Sequence, residues 1–270
     1  MKKLNWHEHR VLITGAGHGL GRAVSLELAR AGAFIICTDI DEIRAKTTED
    51  AIKSCGGKAV SYAMDVTQLD SIKKTQELIL REVGPITFLV NNAGIISGGE
   101  FNEVPLAQHL KTLDINVLGV VRATHVFLPE IIKGSVGGVV NIASAAAFLA
   151  LPFATSYAAS KWAVLGFSDS LREELRLKKH HHVGVTSVCP SYISTGMFQG
   201  VKLPWLMKWV SPERLAQQIC RAIEKKQEQI LTPWNVLPVP FAKGVLPQRW
   251  FLLLCRGLGV SQSMRAWRGH

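Results

Sequence analysis

Acidic residues run out before the end of this 270-residue chain: no Asp or Glu follows Glu228, while Lys243, Arg249, Arg256, Arg265 and Arg268 do. Cysteine is sparse and unpatterned, with five scattered residues (Cys37, Cys55, Cys189, Cys220 and Cys255) and no Cys-x-x-Cys. An odd, unpatterned set argues against a disulfide framework and predicts reduced thiols in a reducing compartment, here the cytoplasm. No uninterrupted run reaches the ~18 apolar residues of a spanning helix. The opening residues, Met1 to Glu8, lack the apolar core of a signal peptide. Internal repeats and low-complexity linkers are also missing. The one histidine cluster, His180-His181-His182, sits beside Arg176, Lys178 and Lys179 at a helix end. Neighbours in sequence point different ways, so this cluster reads as a solvated basic cap and no metal is expected.

What is present fits one large α/β domain. The chain is 47% apolar, and its length does not force two domains. Apolar, strand-like segments near 10–14, 33–38, 58–63, 86–91, 137–143, 183–189 and 229–232 alternate with helical patterns. That alternation predicts a parallel, doubly wound sheet that binds ligand at the carboxyl ends of its strands.

The first strand, Val11-Leu12-Ile13, ends in Thr14-Gly15-Ala16-Gly17-His18-Gly19-Leu20-Gly21, and a helical stretch follows from Arg22 to Ala29. Strand, glycine-rich turn and helix in that order form a dinucleotide-binding context of Rossmann type. Glycines at 15, 19 and 21 permit a tight turn, close approach of a pyrophosphate and close packing of helix on strand. The helix N-terminus then offers free N–H groups to the phosphates. A second strand, Phe34 to Thr38, ends in Asp39. An acid at that distance accepts hydrogen bonds from the adenosine ribose and repels a 2′-phosphate, so NAD is expected in preference to NADP. His18 is the one basic residue placed to meet such a phosphate.

Tyr157 and Lys161 are four residues apart on a predicted helix, with Ser144 upstream. That spacing puts phenol and ammonium on one face, one turn apart. The free groups titrate near ~10 and ~10.4, and a fixed cation favours the phenolate. Lowering the tyrosine by ~3 units takes roughly 4 kcal/mol, more than one lysine readily supplies, so a cationic cofactor is a natural second contributor. Taken alone, Tyr-x-x-x-Lys is also what an ordinary amphipathic helix carries.

Together these motifs resemble the short-chain dehydrogenase/reductase family along nearly the whole chain. The resemblance covers the turn Thr14–Gly21, Asn91-Asn92-Ala93-Gly94, Asn116, Ser144, Tyr157 with Lys161, and the segment Cys189-Pro190-Ser191-Tyr192-Ile193-Ser194-Thr195, where Ser191 replaces the usual glycine. It implies that Tyr157 is the general acid/base, that Ser144 hydrogen-bonds the reacting oxygen, and that Lys161 tunes Tyr157 and holds the nicotinamide ribose. Asn116 would position a water that links Lys161 to solvent. Asp65 and Val66 would meet the adenine; Asn92, Ala93 and Gly94 would line the cofactor, and Pro190, Ile193 and Thr195 would hold its carboxamide end. Hydride passes directly between substrate and nicotinamide, without metal. Helices near 106–133 and 155–178 resemble those that pair subunits in this family, so a homo-oligomer is implied.

Charge splits the chain. Residues 1–174 carry 17 Lys and Arg against 18 Asp and Glu; residues 175–270 carry 14 against 3. The tail is also apolar, with Trp234, Phe241 and Trp250-Phe251-Leu252-Leu253-Leu254. Domain boundaries are expected at 1–232 for the catalytic domain and 233–270 for the extension. An apolar, basic extension fits either peripheral membrane contact or packing on its own domain or a partner subunit. No nucleic-acid-binding motif accompanies the charge, and no nucleic-acid partner is expected. The tail loosely resembles the retinol and 17β-hydroxysteroid dehydrogenase branch. The segment 196–209, with Met197, Phe198, Trp205, Met207 and Trp209, reads as a mobile substrate loop facing an apolar wall at 145–151. The sequence therefore points to an NAD-dependent oxidoreductase for a hydrophobic alcohol of retinoid, steroid or long-chain type. A β-ketoacyl-type reductase and a non-catalytic NAD-binding scaffold at a lipid surface are the alternatives.

Overall fold

A computed structural model describes residues 4–205 and 207–268. Strands and helices alternate as β1 (Arg10–Thr14), α1 (Gly19–Arg30), β2 (Phe34–Asp39), α2 (Glu42–Ser54), β3 (Lys58–Ala63), α3 (Leu69–Glu82) and β4 (Phe88–Asn91). There follow α4 (Leu106–Leu113), α5 (Gly119–Lys133), β5 (Gly137–Ile142), α6 (Thr155–Leu177), β6 (Val183–Pro190), α7 (Pro212–Glu224) and β7 (Gln229–Thr232). Two short helices, α8 (Pro238–Val245) and α9 (Gln248–Gly257), complete the fold.

All seven strands run parallel in the order β3-β2-β1-β4-β5-β6-β7. The expected sheet is there, and its order reverses between β1 and β4, which opens a crevice at their carboxyl ends. The strands read as unbroken apolar runs because both faces are covered by helices. Val11 and Ile13 bury against Val24 and Leu28 of α1 on one face, while Leu12 joins Ile72 of α3 and Phe127 of α5 on the other. Each such fully buried side chain contributes roughly 1.5–3 kcal/mol.

Helices begin where local chemistry caps them. Asp41 accepts the Arg44 N–H at the start of α2, and Ser211 accepts the Arg214 N–H ahead of Pro212 in α7. From Leu106 to Lys133 the chain is one continuous helix, interrupted by a π-helical turn at Asp114–Leu118 that carries Asn116. This helix is long and apolar enough to cross a membrane by length and composition. Here it lies on the sheet, with Ala123, Phe127 and Ile131 in the core.

The segment from Val236 to Trp267 folds back over the carboxyl ends of the strands. Phe251, Cys255, Val260 and Met264 bury in one apolar cluster with Tyr157, Tyr192 and Phe198. Packing on its own domain, one of the two uses foreseen for this tail, therefore occupies its inner side.

Candidate active site

The glycine turn joins β1 to α1 at the crevice. A Cβ on Gly21 would sit 2.1 Å from the Gly15 carbonyl oxygen, so no larger residue fits between turn and helix. Asn92 reaches across from the end of β4 and donates to the carbonyls of Thr14 (2.9 Å) and Gly15 (3.0 Å). The Thr14 hydroxyl accepts the N–H groups of Asn92 and Ala93, both at 3.0 Å. These bonds fix the turn against the strand that leads to Gly94.

Asp39, at the end of β2, is buried and takes the Gly17 N–H on one carboxylate oxygen (2.9 Å) and the Asp41 N–H on the other (3.1 Å). A carboxylate has about four lone-pair sites, which leaves acceptor capacity facing the turn. His18 is exposed at the start of α1 and Leu20 is buried beneath it. Asp65 accepts from the Thr67 N–H (2.9 Å) and hydroxyl (2.8 Å), and the adjoining Val66 packs where a Cβ on Gly119 would stand. The turn, Asp39 and this pair form a continuous wall at the carboxyl edge of β1, β2 and β3, and its donors and acceptors fit a dinucleotide.

Tyr157, Lys161, Ser144 and Asn116 come together one strand further on, all buried. Ser144 follows β5 and its hydroxyl hydrogen-bonds the Tyr157 phenol; it also donates to the Pro190 carbonyl at 3.4 Å. The Lys161 ammonium donates to the Ile142 carbonyl at 2.8 Å and lies 5.6 Å from the centre of the Tyr157 ring. Asn116 accepts the Ile95 N–H (2.8 Å) and donates to the Ile95 carbonyl (2.9 Å) and the Ser160 hydroxyl (3.0 Å). Those bonds hold its helix against the strand-end loop. Gly94 completes the group: a Cβ there would stand 3.1 Å from the Asn116 Oδ1 and 3.7 Å from the Lys161 Nζ.

Electrostatics depart from the expectation of a lysine-lowered phenol. Burial pushes the Tyr157 hydroxyl up to about 12, against the Ser144 hydrogen bond that pulls it down. Burial also brings Lys161 down to about 8. Desolvation disfavours both charged forms at once, and the ammonium is spent on a carbonyl on the far side of the ring. The four-residue spacing was read correctly, but the sequence does not report how dry the pair is. Proton removal from Tyr157 near neutral pH therefore needs positive charge added beside it, which is what an oxidised nicotinamide supplies.

Ser191 has no positive φ, so the replacement of glycine is absorbed in ordinary backbone, and its N–H bonds the Thr232 carbonyl at 2.8 Å. Ile193 is buried and bridges to Val210. Thr195 lies against Gly19, 3.3 Å from a Cβ built there, so this segment closes over the glycine turn.

A small apolar pocket opens on Ser144 and Tyr157. Ala145, Leu149 and Leu151 form one wall and Phe198, Pro204 and Met207 the other, as the sequence led one to expect. Trp205 and Trp209, expected in the same wall, instead face solvent, at 72% and 45% exposure. Both residues alternate outward because Trp205 is tied by its backbone to the Leu258 carbonyl (3.0 Å). Leu206 lies outside the described residues. Sequence reasoning missed two contributors, Tyr192 and Val260. Tyr192 donates to the Ser263 hydroxyl at 2.7 Å, and Trp267 donates to the Met197 carbonyl at 2.9 Å. Gly200 admits the tail, since a Cβ there would stand 2.4 Å from the Ala266 carbonyl oxygen. Also missed was His109, whose Nδ1 lies 2.6 Å from the Ser156 hydroxyl and braces the first turn of α6.

Comparison with known proteins agrees with this geometry. The family model described as short chain dehydrogenase matches residues 9–203. Epidermal retinol dehydrogenase 2 of Mus musculus is 33% identical over 263 residues, which cover 96% of this chain and 85% of the relative. Estradiol 17-beta-dehydrogenase 11 of Homo sapiens is 30% identical over 250 residues, covering 93% and 83%. Among solved structures, a short chain dehydrogenase/reductase from Burkholderia phymatum in complex with NAD superposes with a TM-score of 0.81 at 25% identity. It covers 93% of this chain and 96% of its own. A short-chain type dehydrogenase/reductase from Mycobacterium marinum gives 0.77 at 27% identity, covering 84% and 94%.

Proposed function

This chain belongs to the short chain dehydrogenase family, and we propose that it interconverts a bulky hydrophobic alcohol and its carbonyl compound with NAD as cofactor. The observation that carries this reading is the meeting of the Ser144 hydroxyl and the Tyr157 phenol on the floor of an apolar pocket, beside a buried lysine. The pocket's walls offer little to bind a sugar or phosphate, and relatives named for retinol and estradiol support a retinoid- or steroid-like shape.

In this reading the glycine turn and Asp39 hold the dinucleotide, and Asp39 selects NAD through the ribose hydroxyls. Asp65 and Val66 border the adenine; Asn92, Ala93, Gly94, Pro190, Ile193 and Thr195 line the rest. NAD, when bound, supplies the hydride acceptor and a positive charge next to Tyr157. Tyr157 takes the hydroxyl proton of the alcohol, or returns it to the carbonyl oxygen in reduction. Ser144 hydrogen-bonds that oxygen and stabilises charge developing on it. Lys161 holds the ribose and, with Asn116, passes the proton toward solvent. Asp39 and the apolar tail disfavour a β-ketoacyl-type reductase, and an intact Ser144–Tyr157–Lys161 set disfavours a scaffold. Helices α5 and α6 are proposed to pair subunits, and the enzyme is placed in the cytoplasm, at a membrane surface.

The test is NAD reduction with retinol, steroid alcohols and long-chain alcohols, in the wild type and in Tyr157→Phe. Turnover that falls by ~10³-fold or more in the variant while NAD affinity stays within about twofold supports the reading. Unchanged turnover would remove Tyr157 from the chemistry.

A further inference from the structure

The helices that roof the pocket carry a second apolar face outward. In α9, Phe251 and Cys255, one turn apart, are buried over the pocket. Trp250, Leu253 and Leu254 lie on another flank and are 54%, 51% and 47% exposed. At helical spacing Arg249 and Arg256 border that flank on the side away from Phe251. The preceding segment repeats the arrangement. Trp234, Leu237, Phe241 and Val245 recur at intervals of three and four and are 79%, 56%, 74% and 64% exposed. So dense a set of exposed apolar residues marks an interaction surface. Its anchor to the catalytic helix is Lys243, whose ammonium stacks 3.0 Å from the ring centre of Trp162 in α6.

Two observations say what covers this face. Its charge is of one sign, because five cations and no carboxylate follow Glu228. Apolar side chains with tryptophans, edged by arginines, suit the headgroup zone of an anionic bilayer. The pocket beneath supplies the second. It holds about 30 Å³ of free space, room for one or two waters, whereas a bulky ligand needs on the order of 300 Å³ or more. The roof must lift to admit such a substrate, and that substrate dissolves in lipid.

We infer that residues 234–256 form a membrane-docking lid, which seats on an anionic phospholipid surface and opens the pocket toward the bilayer. Its outer flank binds the lipid and its inner flank, Phe251 and Cys255, is drawn off the pocket. Substrate then enters from the bilayer without crossing water. The docking surface stands on exposure and charge; the passage of substrate rests on the dehydrogenase reading above.

The test is flotation of the full chain with vesicles of phosphatidylcholine, with and without phosphatidylserine, alongside NAD titration and light scattering. Binding is expected to phosphatidylserine vesicles and to weaken with salt. The pair Phe241→Ser and Leu253→Ser, and separately Arg249→Glu with Arg256→Glu, should each weaken it by about tenfold or more, with NAD affinity unchanged. No flotation of the wild type, or equal flotation of the variants, overturns the docking surface. So does a dimer that Phe241→Ser with Leu253→Ser dissociates, because the face then belongs to a second copy. Flotation with the expected sensitivity but no oxidation of any alcohol sustains the surface and overturns the dehydrogenase reading. Oxidation without flotation does the reverse.

Discussion

Replacing Lys161 by Met should flatten the dependence of stability on pH between about 7 and 9. Burial takes this lysine from its ordinary 10.5 to about 8 in the folded chain. Between those values the unfolded chain holds a proton that the folded chain has shed, so stability rises as pH rises. Below the folded value both states are charged and the full desolvation cost is present. From pH 7 to pH 9 the relief amounts to about 1.3 kcal/mol, or ~0.4 M in the urea midpoint for a slope of ~3 kcal/mol/M. Methionine keeps the length of the stem without the charge. It also leaves the Ile142 carbonyl without its donor, at about 1–3 kcal/mol, but that loss does not vary with pH. The window closes at 9 because burial raises Cys37 and Cys189 from 9.0 to about 12. Their folded forms keep the proton longer, so above pH 9 they lower stability in both proteins. Urea unfolding of the cofactor-free proteins, followed by tryptophan fluorescence at several pH values, reads the difference. A Lys161→Met midpoint that climbs as far as the wild type's would refute the buried ammonium as the source.

Two further outcomes follow from single contacts. Asp39→Ala should shift the ratio of kcat/KM for NAD and NADP toward NADP, since the carboxylate that repels a 2′-phosphate is gone; a wild type that already prefers NADP would sink that reading of Asp39. Tyr192→Phe removes the bond to Ser263 and should cost about 1 kcal/mol. Proteolysis of the tail should quicken while NAD affinity holds, and equal cleavage rates in both proteins would show that the bond does not latch the tail.

The sheet and the cofactor wall were legible in the sequence because their signals are local. Apolar strands, the turn Thr14–Gly21 and the Tyr157–Lys161 spacing each fall within a few residues, and the structure assembles them as read. The roof was not legible, because Tyr192 pairs with Ser263 and Met197 with Trp267 across some seventy residues, a separation that no periodicity encodes. Trp205 and Trp209 were misassigned for a related reason. Composition says that a loop is apolar, but only its backbone anchor to Leu258 decides which side chains face in. Solvation was hidden too. Spacing placed phenol and ammonium together, and only the packed fold reveals that burial outweighs their mutual help.

The π-helical turn at Asp114–Leu118 is an extra residue spliced into an otherwise regular helix. An α-helix advances about 100° per residue, so the insertion resets the angular phase between α4 and α5. With it, His109 and Thr112 before the turn and Ala123 and Phe127 after it all face inward. Deleting one residue there would restore an unbroken hydrogen-bond ladder and a locally better helix. One half or the other would then have to rotate its buried side chains into solvent, and Asn116 would leave Ile95. The irregularity thus works as a gear between two packing surfaces, and the asparagine sits on its tooth.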